Sequence, residues 1–170
     1  MFEAARRCLG ILALLVIGFS ILGVLGSIPL DTEELTATTP VTVSAFLEPD
    51  GMVGDFKLCV TAKIAKGLHI YSITQQPGGP NPTRLGIMET NDPTEVLSFI
   101  VTPMPVVTTS AVWPGLSIET HTGTVTWTYY IRFITKVKEK PTIRGFLQVS
   151  PCSETMCLMP RVLSFRAEVR

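Results

Sequence analysis

Apolar and polar side chains alternate along several stretches of this sequence, and this period of two limits the fold more than any other feature. Residues 54–64, GDFKLCVTAKI, put every second side chain on one apolar face, and residues 124–133, TVTWTYYIRF, do the same. Such alternation is typical of β-strands that pack on one face only. The same pattern recurs at residues 41–47, 142–150 and 162–169.

Turn-forming residues separate these stretches. They lie at residues 49–51, 77–80, 91–93 and 114–115 and at Pro141, where proline, glycine and asparagine favour tight turns. No amphipathic helix and no internal repeat is evident after residue 40. Seven or eight short strands with turns between them predict an all-β fold, an immunoglobulin-like antiparallel β-sandwich, with a closed barrel as the alternative.

The first 30 residues have a different character. Arg6 and Arg7 precede an apolar run at residues 8–25. As a helix rising about 1.5 Å per residue, this run falls just short of a typical hydrocarbon core of about 30 Å. It is longer than the apolar region of most signal peptides. The length favours an uncleaved membrane anchor over a signal peptide cleaved near Gly26, and a buried helix of a soluble domain is the third alternative.

These features predict one N-terminal apolar helix followed by an exported domain. Residues 1–30 form the signal peptide or signal anchor, residues 31–40 a linker, and residues 41–170 the β-sandwich. Because arginines before an apolar run stay in the cytoplasm, everything after Leu30 is expected on the periplasmic side, tethered to the inner membrane or secreted after cleavage.

The charge balance argues against one class of partner. Fourteen basic residues equal fourteen acidic ones, and charged residues make up only 16% of the chain. No basic surplus is available to neutralise a phosphate backbone, so nucleic acid is not an expected partner. The sequence also lacks the motifs of hydrolases, zinc proteases and phosphate-binding loops, and neither a cofactor nor a metal is expected.

Two cysteines lie five positions apart in SPCSETMCLMP, residues 150–160. In an exported domain, neighbouring cysteines are disulfide candidates, and this pair falls between two predicted strands. A bond between Cys152 and Cys157 closes a short loop worth about 2 kcal/mol of stability. A structural bridge and a redox-active one remain equally open on this ground. Cys8 lies in the apolar run, and Cys59 is either a small filler or an oxidisable thiol.

The chain has only two histidines. His69 lies beside Tyr71 in a short strand and is expected to be a hydrogen-bonded structural residue. His121 is expected in a solvated loop tip. With the two neighbouring cysteines, these histidines offer a set of four zinc ligands, although nothing in their spacing requires one.

Four segments, in this order, resemble the N-terminal periplasmic domain of the thiol:disulfide interchange protein DsbD and its relatives. The segments are KGLHIYS, PGGPNPTRL, TGTVTWTYYIRF and GFLQVSPCSETMCLMPRVLSF. The likeness covers residues 41–169, and its specific part is the terminal cysteine segment. It implies an immunoglobulin-like fold in which Cys152 and Cys157 are the catalytic redox pair.

The resemblance also implies partners. Domains of this family accept electrons from a membrane-embedded domain and reduce thioredoxin-fold periplasmic proteins by thiol–disulfide exchange. Because the sequence ends at Arg170, we expect a separate membrane protein to act as electron donor. His69 and Tyr71 are candidates for lining the site. The alternative is a non-catalytic immunoglobulin-like binding module braced by a structural disulfide.

The sequence departs from the family pattern in two places. Leu68 replaces an aromatic residue before the histidine, and residues 115–123, GLSIETHTG, contain no aromatic side chain where DsbD has an aromatic cap loop. The sequence therefore leaves the shielding of the cysteines in doubt.

Overall fold

The computed structural model describes residues 39–52, 54–90, 94–134 and 140–170, which form ten β-strands and no α-helix. The strands are β1 (Val41–Pro49), β2 (Asp55–Ile64), β3 (Ile70–Tyr71), β4 (Arg84–Thr90), β5 (Thr94–Thr102), β6 (Val106–Ser110), β7 (Trp113–His121), β8 (Thr124–Phe133), β9 (Thr142–Val149) and β10 (Arg161–Glu168). Within these ranges no helix is long and apolar enough to cross a membrane. The predicted N-terminal helix and most of the predicted linker lie outside the described residues.

The first sheet has four antiparallel strands in the order β1-β2-β8-β5. Its two central strands are those with the clearest alternation, and their inner residues pair directly, as Val60 does with Trp127. Both side chains are fully buried. The period of two therefore becomes one apolar face across the sheet.

The second sheet, in the order β10-β9-β4, covers this apolar face. Two clusters of buried side chains join the sheets. One contains Trp127 and Leu147, and the other contains Ile131 and Phe165. Two antiparallel sheets packed over a shared core confirm the predicted all-β, immunoglobulin-like fold.

A third sheet, in the order β3-β7-β6, lies where β2 ends and β8 begins. Strand β3 is only two residues long. Beyond it, the side chain of Gln75 takes over the hydrogen bonding to the backbone of β7. The Gln75 amide donates to the carbonyl oxygen of Ser117 at 3.0 Å and accepts the N–H of Glu119 at 2.8 Å. Because Gln75 is buried, this clamp holds β7 in place beside the cysteine pair.

The structure corrects two details of the sequence prediction. There are ten strands among the described residues rather than seven or eight. Pro114 and Gly115, predicted as a turn, lie inside β7, next to an irregularity in its pairing with β6. A proline fits there because the regular ladder resumes only at Ser117, so no ladder hydrogen bond is lost.

Candidate functional site

Cys152 and Cys157 form a disulfide in the segment that joins β9 to β10, as the sequence predicted for their position. Their Cα atoms lie 3.9 Å apart, and the two residues face each other as an isolated antiparallel bridge. The bond therefore closes the base of a small loop at the end of the sandwich.

The loop has its own hydrogen bonds. The hydroxyl of Ser153 accepts the N–H groups of Thr155 and Met156 at 3.3 and 3.2 Å. The N–H of Leu158 donates to the carbonyl oxygen of Pro151 at 2.8 Å. These bonds fold the four residues between the cysteines into a tight turn in which Met156 and its neighbours face solvent.

Cys152 is fixed in place from several sides. Its backbone N–H and carbonyl exchange two hydrogen bonds with the backbone of His69, both at 2.8 Å. Its side chain is 1% exposed and packs with Tyr71 and Ile118. The carbonyl oxygen of Ser150 lies 3.5 Å from its sulfur. The early segment after β2 therefore anchors one half of the pair.

Cys157 has the opposite environment, since it lies on the exposed side of the loop. Thiol–disulfide exchange requires an attacking thiolate to reach one sulfur in line with the bond. Of the two residues, Cys157 is the one open to a protein partner. In an attack on Cys157, the sulfur of Cys152 would be the leaving group, and Cys152 is buried.

A cavity of about 370 Å³ opens beside the disulfide. None of the residues that line it carries a charged side chain. They are Tyr71, Gly79, Pro80, Asn81, Trp113, Ser150, Cys152, Cys157, Leu158 and Pro160. The cavity beside the disulfide is therefore neutral and mostly apolar.

The two predicted lining residues play different parts. Tyr71 lines the cavity, and burial raises the pKa of its phenol, so at neutral pH it is an uncharged hydrogen-bonding group. His69 contributes mainly its backbone, which pairs with Cys152. Its ring contacts the Tyr71 ring edge to face, with 5.3 Å between the centroids.

Trp113 is the site residue that sequence reasoning missed. Residues 115–123 contain no aromatic residue, but Trp113 lies two positions before them and lines the cavity. The sequence left the shielding of the cysteines in doubt, and the structure places the aromatic side chain of Trp113 beside them. Trp113 directly precedes Pro114 and Gly115. This turn-forming pair was the available signal for an aromatic residue near the tip of the β6–β7 hairpin.

His121 is buried and does not lie in a solvated loop tip. It ends β7, pairs with Ile70 and is 2% exposed. Its ring lies edge to face against Trp127, and neither ring nitrogen has a hydrogen-bond partner in the described part of the chain. Burial lowers its pKa, and the charge of Glu119 opposes this effect. The prediction failed because the turn follows at Gly123, just after the strand.

The described residues do not assemble the four zinc ligands considered from the sequence. No group of three or more His, Cys, Asp or Glu side chains suited to a metal ion occurs among them. The two cysteines are bonded to each other, and His121 faces Trp127 instead.

Cys59 lies apart from this site. It is a free, buried thiol in the middle of β2, with its sulfur 3.9 Å from the hydroxyl oxygen of Thr128. Burial raises its pKa, which keeps it protonated at neutral pH. This supports the interpretation of Cys59 as a small filler and not as a reactive thiol.

Fold and site together define an all-β domain with a solvent-accessible disulfide at one end of a sandwich. No protein-family model and no curated protein sequence matches the chain.

Solved structures similar to this chain include DsbD-type N-terminal domains, as the sequence resemblance predicted. The N-terminal periplasmic domain of ScsB from Proteus mirabilis is 20% identical, with a TM-score of 0.44, over 71% of this chain and 43% of that chain. A complex of the DsbD and PilB N-terminal domains from Neisseria meningitidis gives 12% and 0.47, over 79% of this chain and 88% of that chain. The reduced DsbD N-terminal domain from Neisseria meningitidis gives 12% and 0.40, over 74% and 89%. This chain thus spans less than half of the ScsB chain, and each likeness is distant.

Proposed function

We propose that this chain is an exported thiol–disulfide exchange domain that passes electrons through Cys152 and Cys157 to or from thioredoxin-fold partners. The observation that carries the proposal is the asymmetry of the pair. One cysteine is exposed on a loop, and the other is buried and anchored through its backbone. Exchange needs an attackable sulfur and a leaving group that stays in place, and this arrangement provides both.

The reaction transfers two electrons from a dithiol to a disulfide. A thiolate of the reduced partner attacks the sulfur of Cys157, the bond to Cys152 breaks, and Cys152 leaves as a thiolate that takes up a proton. The partner's second thiolate then attacks the partner's first sulfur, which is bonded to Cys157 in the mixed disulfide, and Cys157 leaves as a thiolate that takes up a proton. The partner ends as a disulfide and this chain as a dithiol, and the reverse sequence returns the electrons.

The location and the remaining partners follow from the sequence. A formed disulfide suits an oxidising compartment such as the periplasm, and the apolar run at residues 8–25 is proposed to tether the domain or to direct its export. Within this proposal a separate membrane protein supplies the electrons. The quoted resemblance of the cysteine segment supports thioredoxin-fold proteins as the partners on the other side.

Trapping a mixed disulfide tests the proposal. The probe is a thioredoxin whose resolving cysteine is replaced by serine and whose reactive cysteine is activated with an aromatic disulfide. We expect the reduced Cys152→Ser variant to capture this probe through the exposed Cys157 and the Cys157→Ser variant to capture little. Adding Cys59→Ser to both variants removes the third thiol of the domain as a control.

The reduction potential distinguishes a redox-active disulfide from a structural one. We expect a value in the range of exchange proteins, about −120 to −270 mV, and not below about −300 mV, where structural bridges of exported proteins lie. Failure of both single-cysteine variants to capture the probe, together with a potential below that limit, overturns the proposal in favour of a structural disulfide in a binding module.

A further inference from the structure

Large apolar side chains surround the exposed cysteine. Met156 is 65% exposed, Leu158 37% and Met159 82%, and all three lie within two positions of Cys157. Val112, next to Trp113 at the tip of the β6–β7 hairpin, is 74% exposed. Single exposed apolar residues are ordinary, but several around one reactive atom mark a contact surface.

The cavity beside the disulfide adds to this surface. It is lined only by neutral residues, among them the rings of Tyr71 and Trp113. A charged side chain placed there would lose its hydration without gaining an ion pair, whereas an apolar side chain has no favourable hydration to lose. The site therefore discriminates by polarity.

We propose an apolar docking surface for the apolar side chains that flank the reactive cysteine of a thioredoxin-fold partner. It consists of Met156, Leu158, Met159, Val112 and the cavity. The proposal rests on the exchange function above. A partner bonded to Cys157 must cover the residues on both sides of it, so the covalent step itself fixes where the partner lies.

The methionines bear on selectivity. Their side chains are unbranched and adaptable, which suits surfaces that accept several partners of similar polarity. No charged side chain lines the cavity, although Glu154 in the loop and Arg161 just after it are exposed.

Reduced dithiol peptides test the docking surface directly. The probes are Trp-Cys-Gly-Pro-Cys and two otherwise identical peptides that begin with Asp or Lys, each measured by its rate of reduction of the Cys152–Cys157 bond. We expect the Trp peptide to react about tenfold faster than either charged one, the size of effect typical of a well-buried contact residue. Equal rates for the three peptides overturn the docking surface and leave the exchange function intact.

Substitutions in this chain test whether the docking surface causes the faster reaction of the Trp peptide. Met156→Glu and Met159→Glu are each expected to remove most of the advantage of the Trp peptide, and Met156→Leu to retain it. Met52→Glu is the matched control, since Met52 is 67% exposed but lies in the turn between β1 and β2 at the other end of the sandwich. An equal loss from Met52→Glu overturns the proposal.

Dithiothreitol, which has no flanking side chain, reports the reactivity of the sulfur alone. We expect its rate to differ little between the Met52→Glu variant and the unsubstituted protein. If no dithiol, dithiothreitol included, reduces the bond, both the exchange function and the docking surface that rests on it are overturned.

Discussion

Cys152 and Cys157 share one short segment but differ in their surroundings. The sequence identified the pair from its spacing and its place between two strands. It did not show which cysteine is exposed, because that depends on backbone bonds to His69, far earlier in the chain. Trp113 was overlooked and His121 was misjudged for a similar reason, since their surroundings are set by packing across sheets and not by their sequence neighbours.

His121 makes the stability of the domain depend on pH. Burial lowers its pKa in the folded state below the ordinary value of 6.5. Below pH 6.5 the unfolded chain binds a proton that the folded chain does not, so acid favours unfolding. We expect the free energy of unfolding to fall as the pH drops through 6.5 and to stop falling below the folded-state pKa, with a slope of at most about 1.4 kcal/mol per pH unit from this group.

Urea unfolding between pH 7.5 and 5 measures this effect. A His121→Phe variant keeps an aromatic ring against Trp127 but cannot take up a proton, so its stability should depend less on pH over this range. An unchanged pH slope in the variant would show that His121 is not the responsible group.

The strands found from the sequence are those buried on one face. β1, β2, β8, β9 and β10 show clean alternation, and their inner residues form the core. The sequence pattern did not predict β5, because apolar residues follow one another along it without alternation. Most of its residues are exposed, since β5 lies at the edge of the first sheet. β3 is too short for a pattern, and it forms through its pairing with the end of β7.

Two glycines mark close approaches within the second sheet. A Cβ atom at Gly145 would lie 2.6 Å from the carbonyl oxygen of Gly86 and would also collide with the Phe165 ring in the core. Because neither the strand backbone nor a core ring yields easily, we expect Gly145→Ala to lower the free energy of unfolding by about 1–3 kcal/mol.

Gly86→Ala is the matched comparison for this prediction. The three atoms nearest to a Cβ atom there all belong to the ring of Phe146. This side chain is half-buried, and a side chain can shift more easily than strand backbone. We expect a smaller loss of stability by thermal or urea unfolding. A loss as large as that of Gly145→Ala would contradict the distinction between a fixed and a yielding neighbour.

In the described part of the molecule, the disulfide lies outside the hydrophobic core that joins the two sheets. The two clusters that join the sheets contain neither cysteine of the pair, and Cys152 belongs to a third, small cluster with Tyr71 and Ile118. The sandwich therefore does not depend on the bond for its main packing. This separation would allow the proposed exchange to proceed at one end of the domain without a change of fold.

Reduction of the bond is expected to cost little stability. A loop closed over five positions contributes about 2 kcal/mol, a fraction of the stability typical of a folded domain. We expect the reduced protein to keep its β-sheet circular dichroism and to unfold cooperatively at a somewhat lower urea concentration. Loss of the sheet signal on reduction would show that the bond holds the fold together.

The pair of backbone hydrogen bonds between His69 and Cys152 bears on the exchange that we propose. Because these bonds do not involve the sulfur atoms, we expect Cys152 to keep its position when the disulfide is reduced. Only Cys157 and the outer part of the loop would then have to move for the bond to form again.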